Sequence, residues 1–299
     1  GGALKPEKCS WSIADFKWTQ GKWRYSSLEE TPGSIDVPNL HGELHTITRL
    51  GVSEAVKVVG VHQAMDGNMD AQVNALKAKA DLWGEKLKSG WLPRSLAHQG
   101  SASMIWSSLR YPLPACTLTA SQGEIITREL YKHLLPKLGA NRNYPRVYRH
   151  APASLQGLDI PLIYIEQEIG HIRQVLTHGA IPTTTGTLMQ ISLEQAQLEV
   201  GLGIPFLETS FGFYGFLLTD IWWKAVWEFV WRNDITLTYP DQALPQPQRM
   251  NDGFIMARLC SQSSLCPSEL LACNRCRLFL EAITLADIMS GSGRRITDD

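Results

Sequence analysis

Two groups of cations are the side chains in this sequence best placed to do chemistry. Lys77, Lys79, Lys86, Lys88 and Arg94 fall in or just after one helical stretch, and Arg128, Lys132, Lys137, Arg142, Arg146 and Arg149 fall around a later one. The chemistry open to them is electrostatic, because Lys and Arg that neutralise phosphates release the counterions condensed on a polyanion. Ordinary solvation of a helix face accounts for the same residues. The charge distribution places any polyanion on the first half. Gly1 to His150 carries 19 Lys and Arg against 13 Asp and Glu, whereas Ala151 to Asp299 carries 9 against 16, a contrast hidden in a formal net charge of −1.

Metal and thiol chemistry find less support. Cys260, Cys266, Cys273 and Cys276 could be assembled into a zinc site, but five residues separate the first two and the last two fall on an expected helix, so they read as buried or incidental thiols. His171 and His178, with Glu168 nearby, are seven residues apart, more than the one-turn spacing of helical metal motifs. No metal ligand is assigned. Six cysteines scattered over 299 residues do not make a secreted disulfide framework and are read as reduced. No apolar run reaches the roughly 18 residues of a membrane helix, and no signal peptide opens the chain. The expectation is an intracellular protein, cytoplasmic or nuclear, with no membrane partner.

The elements that must position these residues follow from periodicity. Phe16 and Trp18 alternate into a turn at Thr19 to Gly21 and out again at Trp23 and Tyr25, a hairpin signal. Ser34 to Val37 and Leu44 to Arg49 form a second pair around His41 and Gly42, and Val58 to Val61 reads as a short strand before the turn residues MDGN. The period then becomes helical. Val73, Leu76, Ala80, Trp83 and Leu87 make one apolar stripe between Asp70 and Lys88, with the lysines mostly off it and Gly90 and Pro93 as terminators. Further helices are expected at Ser95 to Leu109, from a capping box at Ser121 and Glu124 to about Leu135, at Tyr164 to Thr177, at Gly186 to Val200, and at Tyr214 to Asn233. The last of these carries Asp220, Lys224, Glu228 and Arg232 as an i,i+4 charge ladder, with Trp222, Trp223, Trp227 and Trp231 covering much of the remainder. Helices near Asp252 to Gln262 and Pro267 to Ile288 close the chain.

Four short segments carry a family resemblance. GGALKPEK, with Gly2, Leu4, Pro6 and Lys8, resembles the "GLxxNxxK" of motif D in the reverse transcriptases of non-LTR retrotransposons, with Pro6 where Asn is usual. Val58, Val59, Gly60 and Val61 resemble the "YLGV" strand of motif E, the primer grip. SSLRY (Ser107 to Tyr111) resembles an "SxLxY" helix end, and QGLDIP (Gln156 to Pro161) a "GGLGIP" turn in which Gln156 and Asp159 replace two glycines. Towards the end, ACNRCRLFL is similar to the "LNRCRLFL" found downstream of the polymerase in such elements.

The resemblance implies a piece of an RNA-directed DNA polymerase. Lys8 would be the motif D lysine that protonates or stabilises the leaving pyrophosphate, and Val59, Gly60 and Val61 the primer grip. Lys77, Lys79, Lys86, Lys88 and Arg94 would contact the phosphates of an RNA template and DNA primer hybrid from a thumb, with Arg128, Lys132, Arg142 and Arg146 extending the footprint. The family's catalytic aspartates, which bridge two metal ions, sit upstream of motif D, so Mg2+ is implied for a full-length enzyme and no cofactor for this piece. A missing polymerase part would be the partner, and the isolated chain would be inactive. Asp298 and Asp299, in an ITDD ending, read as tail residues.

The expected fold is α+β, a small β-rich palm remnant with hairpins followed by a mainly helical thumb and a helical C-terminal domain. The boundaries are 1–69 for the palm remnant, 70–138 for the thumb, 139–238 for a helical connector, 239–250 for a proline-rich linker and 251–299 for the last helices. Two competing readings stay open: a non-catalytic nucleic-acid-binding module, and a protein-interaction domain built on the Trp-rich helix.

Overall fold

The structure is a computed structural model that describes residues 5–20, 22–39, 41–179, 181–239, 242–262, 264–292 and 296. Gly2 and Leu4 of the opening segment, Gly21 of the first hairpin turn, and Asp298 and Asp299 lie outside the described residues. The architecture is α+β, with small β-hairpins followed by a mainly helical region. The chain divides into two compact units, 1–166 and 167–299.

In unit 1, strands pair two by two. Strand β1 (Ser10–Trp11) lies parallel to β6 (Thr48–Arg49), while β2 (Phe16–Thr19) with β3 (Lys22–Tyr25), β4 (Asp36–Pro38) with β5 (Leu44–Thr46), and β7 (Val56–Val58) with β8 (Val61–Gln63) are antiparallel hairpins. The register of β2 and β3 sets Phe16 opposite Tyr25 and Trp18 opposite Trp23, so the four aromatic rings share one face as the alternation required. The expected single strand Val58 to Val61 is instead a hairpin tip. Val59 at φ 47° and Gly60 at φ 86° make a two-residue turn with both central residues left-handed, the type that matches strand twist.

The helical part of unit 1 is built on α1 (Asp70–Lys88) packed along α4 (Ala120–Lys137). Leu76 and Ala80 from α1 meet Ile126, Leu130 and Leu134 in one buried core, with Val73, Trp83 and Leu87 packed at its edge, so the apolar stripe read from the sequence faces the partner helix. Between them, α2 (Arg94–Gly100), a π-helical segment Ser101–Trp106 and α3 (Ser107–Arg110) run continuously, and the wide π turn delivers both Ile105 and Trp106 into the core. Helix α4 starts on Thr119 rather than Ser121. The Thr119 hydroxyl accepts from the backbone N–H of Gln122 at 3.2 Å and the Gln122 side chain accepts from the backbone N–H of Thr119 at 2.9 Å, the same reciprocal cap two residues earlier.

Helix α6 (Ile163–His178) contains the division between the units. Unit 2 has its own core, in which Leu193, Val200, Phe206, Trp223, Val226 and Trp227 are fully or nearly fully buried. Its longest helix, α7 (Thr184–Val200), opens on Thr183 and closes on Gly201 at φ 72°. The expected helix from Tyr214 breaks in two: a short α8 (Phe211–Tyr214) and a 3-10 turn precede α9 (Trp222–Arg232). At the break the Glu199 carboxylate accepts from the backbone N–H of Thr219 at 2.8 Å and from its hydroxyl at 3.2 Å, bonds that favour the extended approach to α9. Lys224 to Asp220 at 2.9 Å and Arg232 to Glu228 at 2.6 Å realise two rungs of the charge ladder.

After α10 (Ile255–Cys260), the expected long last helix is interrupted at Glu281, whose φ of 54° separates α11 (Pro267–Phe279) from α12 (Leu285–Ile288). Among the described residues, no helix is long and apolar enough to cross a membrane.

Candidate nucleic-acid interface

Five of the cations named from the sequence come together in unit 1. Arg128 and Lys132 sit one turn apart on α4, Arg142 lies on the connection after it, and Arg146 opens the next short helix, α5 (Arg146–His150). With Arg149 they line a groove of about 760 Å3 whose other walls include Tyr131, Leu162 and Ile163. Unit 1 holds 19 Lys and Arg against 15 Asp and Glu, so the groove lies on the more basic part of the chain.

A five-residue helix has too few internal hydrogen bonds to stand alone, so its position must come from elsewhere. It comes from the QGLDIP turn. The backbone N–H groups of Leu158, Asp159 and Ile160 donate to the carbonyls of Tyr148, Ala151 and Arg149 at 3.0, 3.0 and 3.2 Å. His150 Nδ1 meets the Ile160 carbonyl at 2.7 Å, which makes it the protonated ring nitrogen, and the Tyr131 hydroxyl donates to the Pro161 carbonyl at 3.4 Å. Arg149 lies over the Tyr131 ring at 4.7 Å and donates to the Tyr144 carbonyl at 3.3 Å. Turn, short helix and α4 thus form one hydrogen-bonded wall.

The backbone of that turn explains the glycine pattern it resembles. Gln156 at φ 60° and Asp159 at φ 53° occupy the left-handed region, at two of the three positions where the resembled pattern carries glycine. Between them a Cβ on Gly157 would lie 1.9 Å from the Ala151 carbonyl oxygen. All three positions favour glycine for backbone reasons, and only the middle one has it. The double substitution Gln156→Gly, Asp159→Gly is expected to stabilise the protein by about 1 kcal/mol, the relief of two left-handed conformations less the greater chain entropy of glycine. Urea unfolding checks this; a loss of stability would show that these side chains have roles the backbone argument omits.

Charge in the groove is only partly compensated. Arg146 pairs with Glu124, and Lys132 with Glu129 at 2.6 Å, holding the Glu129 carboxyl below its ordinary value. Arg128 and Arg142 make no ion pair or hydrogen bond among the described residues. Burial, together with the positive charges of Arg149 and Arg146, pushes His150 below its ordinary 6.5. A histidine that folding keeps neutral is protonated first in the unfolded chain, so stability is expected to fall as the pH drops below about 6.5. Melting temperatures at about pH 7.5 and about pH 5.5 test this. The drop should be larger in the wild type than in His150→Asn, and equal drops would contradict it.

The remaining candidates lie elsewhere. Lys77 pairs with Asp81 at 2.5 Å, Lys79 donates to the Ser108 carbonyl at 3.0 Å, Lys86 sits over the Trp83 ring at 4.7 Å, and Lys88 reaches Glu85 at 3.5 Å. They run along α1 and do not line the groove, nor does Arg94, which lies against Gly139. Lys8 is exposed at the end of a 3-10 turn, Pro6–Lys8, whose Pro6 is buried. At the β7–β8 tip Val59 is 78% exposed, Val61 is half-buried, and a Cβ on Gly60 would lie 3.2 Å from the Tyr111 ring, so two of the resembling segments touch here.

Sequence reasoning did not single out Tyr131 and His150. The aromatic beneath Arg149 has no signal in sequence, whereas His150 could have been suspected from the RVYRH run just before the turn. In unit 2, Asn274 and Arg277 of the NRCRLFL segment are buried at the end of α7. Asn274 donates to the carbonyls of Glu199 and Leu217 at 3.0 and 3.2 Å, and Arg277 to those of Leu198 and Glu199 at 2.7 and 2.6 Å. Their part is to satisfy a helix terminus. Comparison with known protein families, curated proteins and solved structures finds no match for this chain.

Proposed function

We propose that unit 1 binds nucleic acid through phosphate contacts, as the primer-grip and thumb portion of an RNA-directed DNA polymerase of a retrotransposon. The observation that supports this best is the QGLDIP turn. Its backbone takes up glycine-like geometry where the resembled pattern has glycine, and it holds Arg146 and Arg149 beside Arg128, Lys132 and Arg142. The partner in this reading is an RNA template and DNA primer hybrid, met by Lys77, Lys79, Lys86, Lys88 and Arg94 along α1, with the groove cations extending the nucleic-acid footprint beyond it. Lys8 and the hairpin tip at Val59, Gly60 and Val61 are the proposed leaving-group and primer contacts, and the chemistry itself belongs to metal-bridging aspartates that the family carries upstream of motif D.

Affinity for a short RNA–DNA hybrid should fall by about two to three orders of magnitude between about 50 mM and about 200 mM salt, the slope of roughly five phosphate contacts. Salt-independent binding, or none at the lower salt, would overturn the proposal. The reading as a protein-interaction domain loses ground because Trp223 and Trp227 are core residues, donating to the Ser192 hydroxyl at 2.9 Å and to the Thr209 carbonyl at 3.1 Å.

A further inference from the structure

We propose that the groove of unit 1 takes one unpaired nucleic-acid strand, a stretch of one or two nucleotides at a time, and that the duplex is left to the lysines of α1. The inference rests on the nucleic-acid reading above and divides its two basic groups by ligand.

Three features of the groove point to a single strand. Its volume of about 760 Å3 is that of a small-molecule site, enough for a nucleotide and far too little for a double helix. Its walls are mixed: cations stand beside Leu162, Ile163 and Tyr131, and such apolar surface suits a splayed base or sugar, which a duplex keeps inside its stack. Finally, Arg149 is a pre-built stacking plane. Its guanidinium is supported on one side by the Tyr131 ring at 4.7 Å and fixed by the Tyr144 carbonyl at 3.3 Å, with its Nε left without a partner. A planar guanidinium held in this way stacks on any base, which makes binding tolerant of sequence. Arg128 and Arg142, neither of them paired with an acid, then supply the phosphate contacts. The α1 lysines stand outside the groove, Lys79 and Lys86 on one flank of the helix beside Ser108 and Trp83 and Lys77 and Lys88 on the other, placements that suit contact with the outside of a duplex.

The test uses the full chain with a labelled oligonucleotide of about eight nucleotides, read by fluorescence anisotropy, beside a labelled hybrid duplex. Arg128→Glu with Arg142→Glu should weaken the single strand at least about tenfold and the hybrid less than about threefold, while Lys86→Glu with Lys88→Glu should do the reverse. In the wild type, the single strand should raise the His150 pKa, seen in its ring NMR signals, because a bound phosphate favours the imidazolium; the hybrid should leave it unmoved. Equal losses for both ligands in the Arg128 and Arg142 variant overturn the division. So does displacement of the oligonucleotide by inorganic phosphate or a nucleoside monophosphate at equal phosphate concentration, which would reduce the groove to a simple anion site. Should the hybrid fail to bind while the single strand behaves as stated, the polymerase reading falls and the groove assignment stands.

Discussion

Gly157→Ala is expected to cost about 3 kcal/mol or more and to weaken single-strand binding with it. The added Cβ would lie 1.9 Å from the Ala151 carbonyl oxygen and 2.7 Å from the Ala151 Cβ, and neither can rotate aside because both belong to the chain that the turn grips. Relief requires the turn to move. Movement breaks the 3.0 Å bond from Asp159 to Ala151 and its neighbours from Leu158 and Ile160, which are the bonds that fix α5. Urea unfolding should therefore show the loss of stability, and anisotropy should show weakened single-strand binding at temperatures where the variant is still folded. A variant with wild-type stability would mean that α5 is held by something other than this turn.

The second large effect is expected at Arg277. Replacing it with alanine leaves the carbonyls of Leu198 and Glu199 without the donor that meets them at 2.7 and 2.6 Å, in a place where Arg277 is itself only 4% exposed. Losing two charged hydrogen bonds and stranding the Leu198 carbonyl, while Asn274 still serves that of Glu199, costs about 3 kcal/mol. Lysine should not rescue it, since it lacks the planar fork and would have to bury a compact, strongly hydrated ammonium. Burial already lowers the Arg277 pKa to about 10, and a lysine in the same place would be neutralised more readily still. Chemical denaturation of Arg277→Ala and Arg277→Lys measures both, and a loss under about 0.5 kcal/mol in either would show that the end of α7 finds other partners.

What could be read in advance follows from where the determining interactions lie. The face of α1 was legible because Leu76 and Ala80 recur at helical spacing, and local periodicity decides which side is buried. The cap of α7 on Gly201 was legible for the same local reason. The break before α9 was not, because the charges at Asp220, Lys224 and Glu228 recur at helical spacing straight across it. The residue that holds Thr219 at the break, Glu199, lies 20 positions away from it. Val58 to Val61 looked like one strand because valines favour extended backbone, and nothing local announces a left-handed Val59.

The groove was legible only in parts. Each cation could be picked out, but their convergence depends on a turn in which Gln156 and Asp159 adopt glycine-like angles without being glycine. The propensity signal that would have announced the turn is missing at the two positions where it would have been strongest. The site's support, Tyr131 beneath Arg149, is a tertiary contact across 18 residues and could not be seen at all.

The most direct test of the central claim, that nucleic acid lies in the groove of unit 1, is photo-crosslinking followed by peptide mapping. A single-stranded oligonucleotide carrying a photoreactive base, irradiated with the full chain, should attach to peptides from the Glu124–Lys132 face of α4 and from Arg142 to His150, and an excess of unlabelled strand should abolish the adducts. Adducts confined to unit 2 or to the exposed aromatics of β2 and β3 would contradict it.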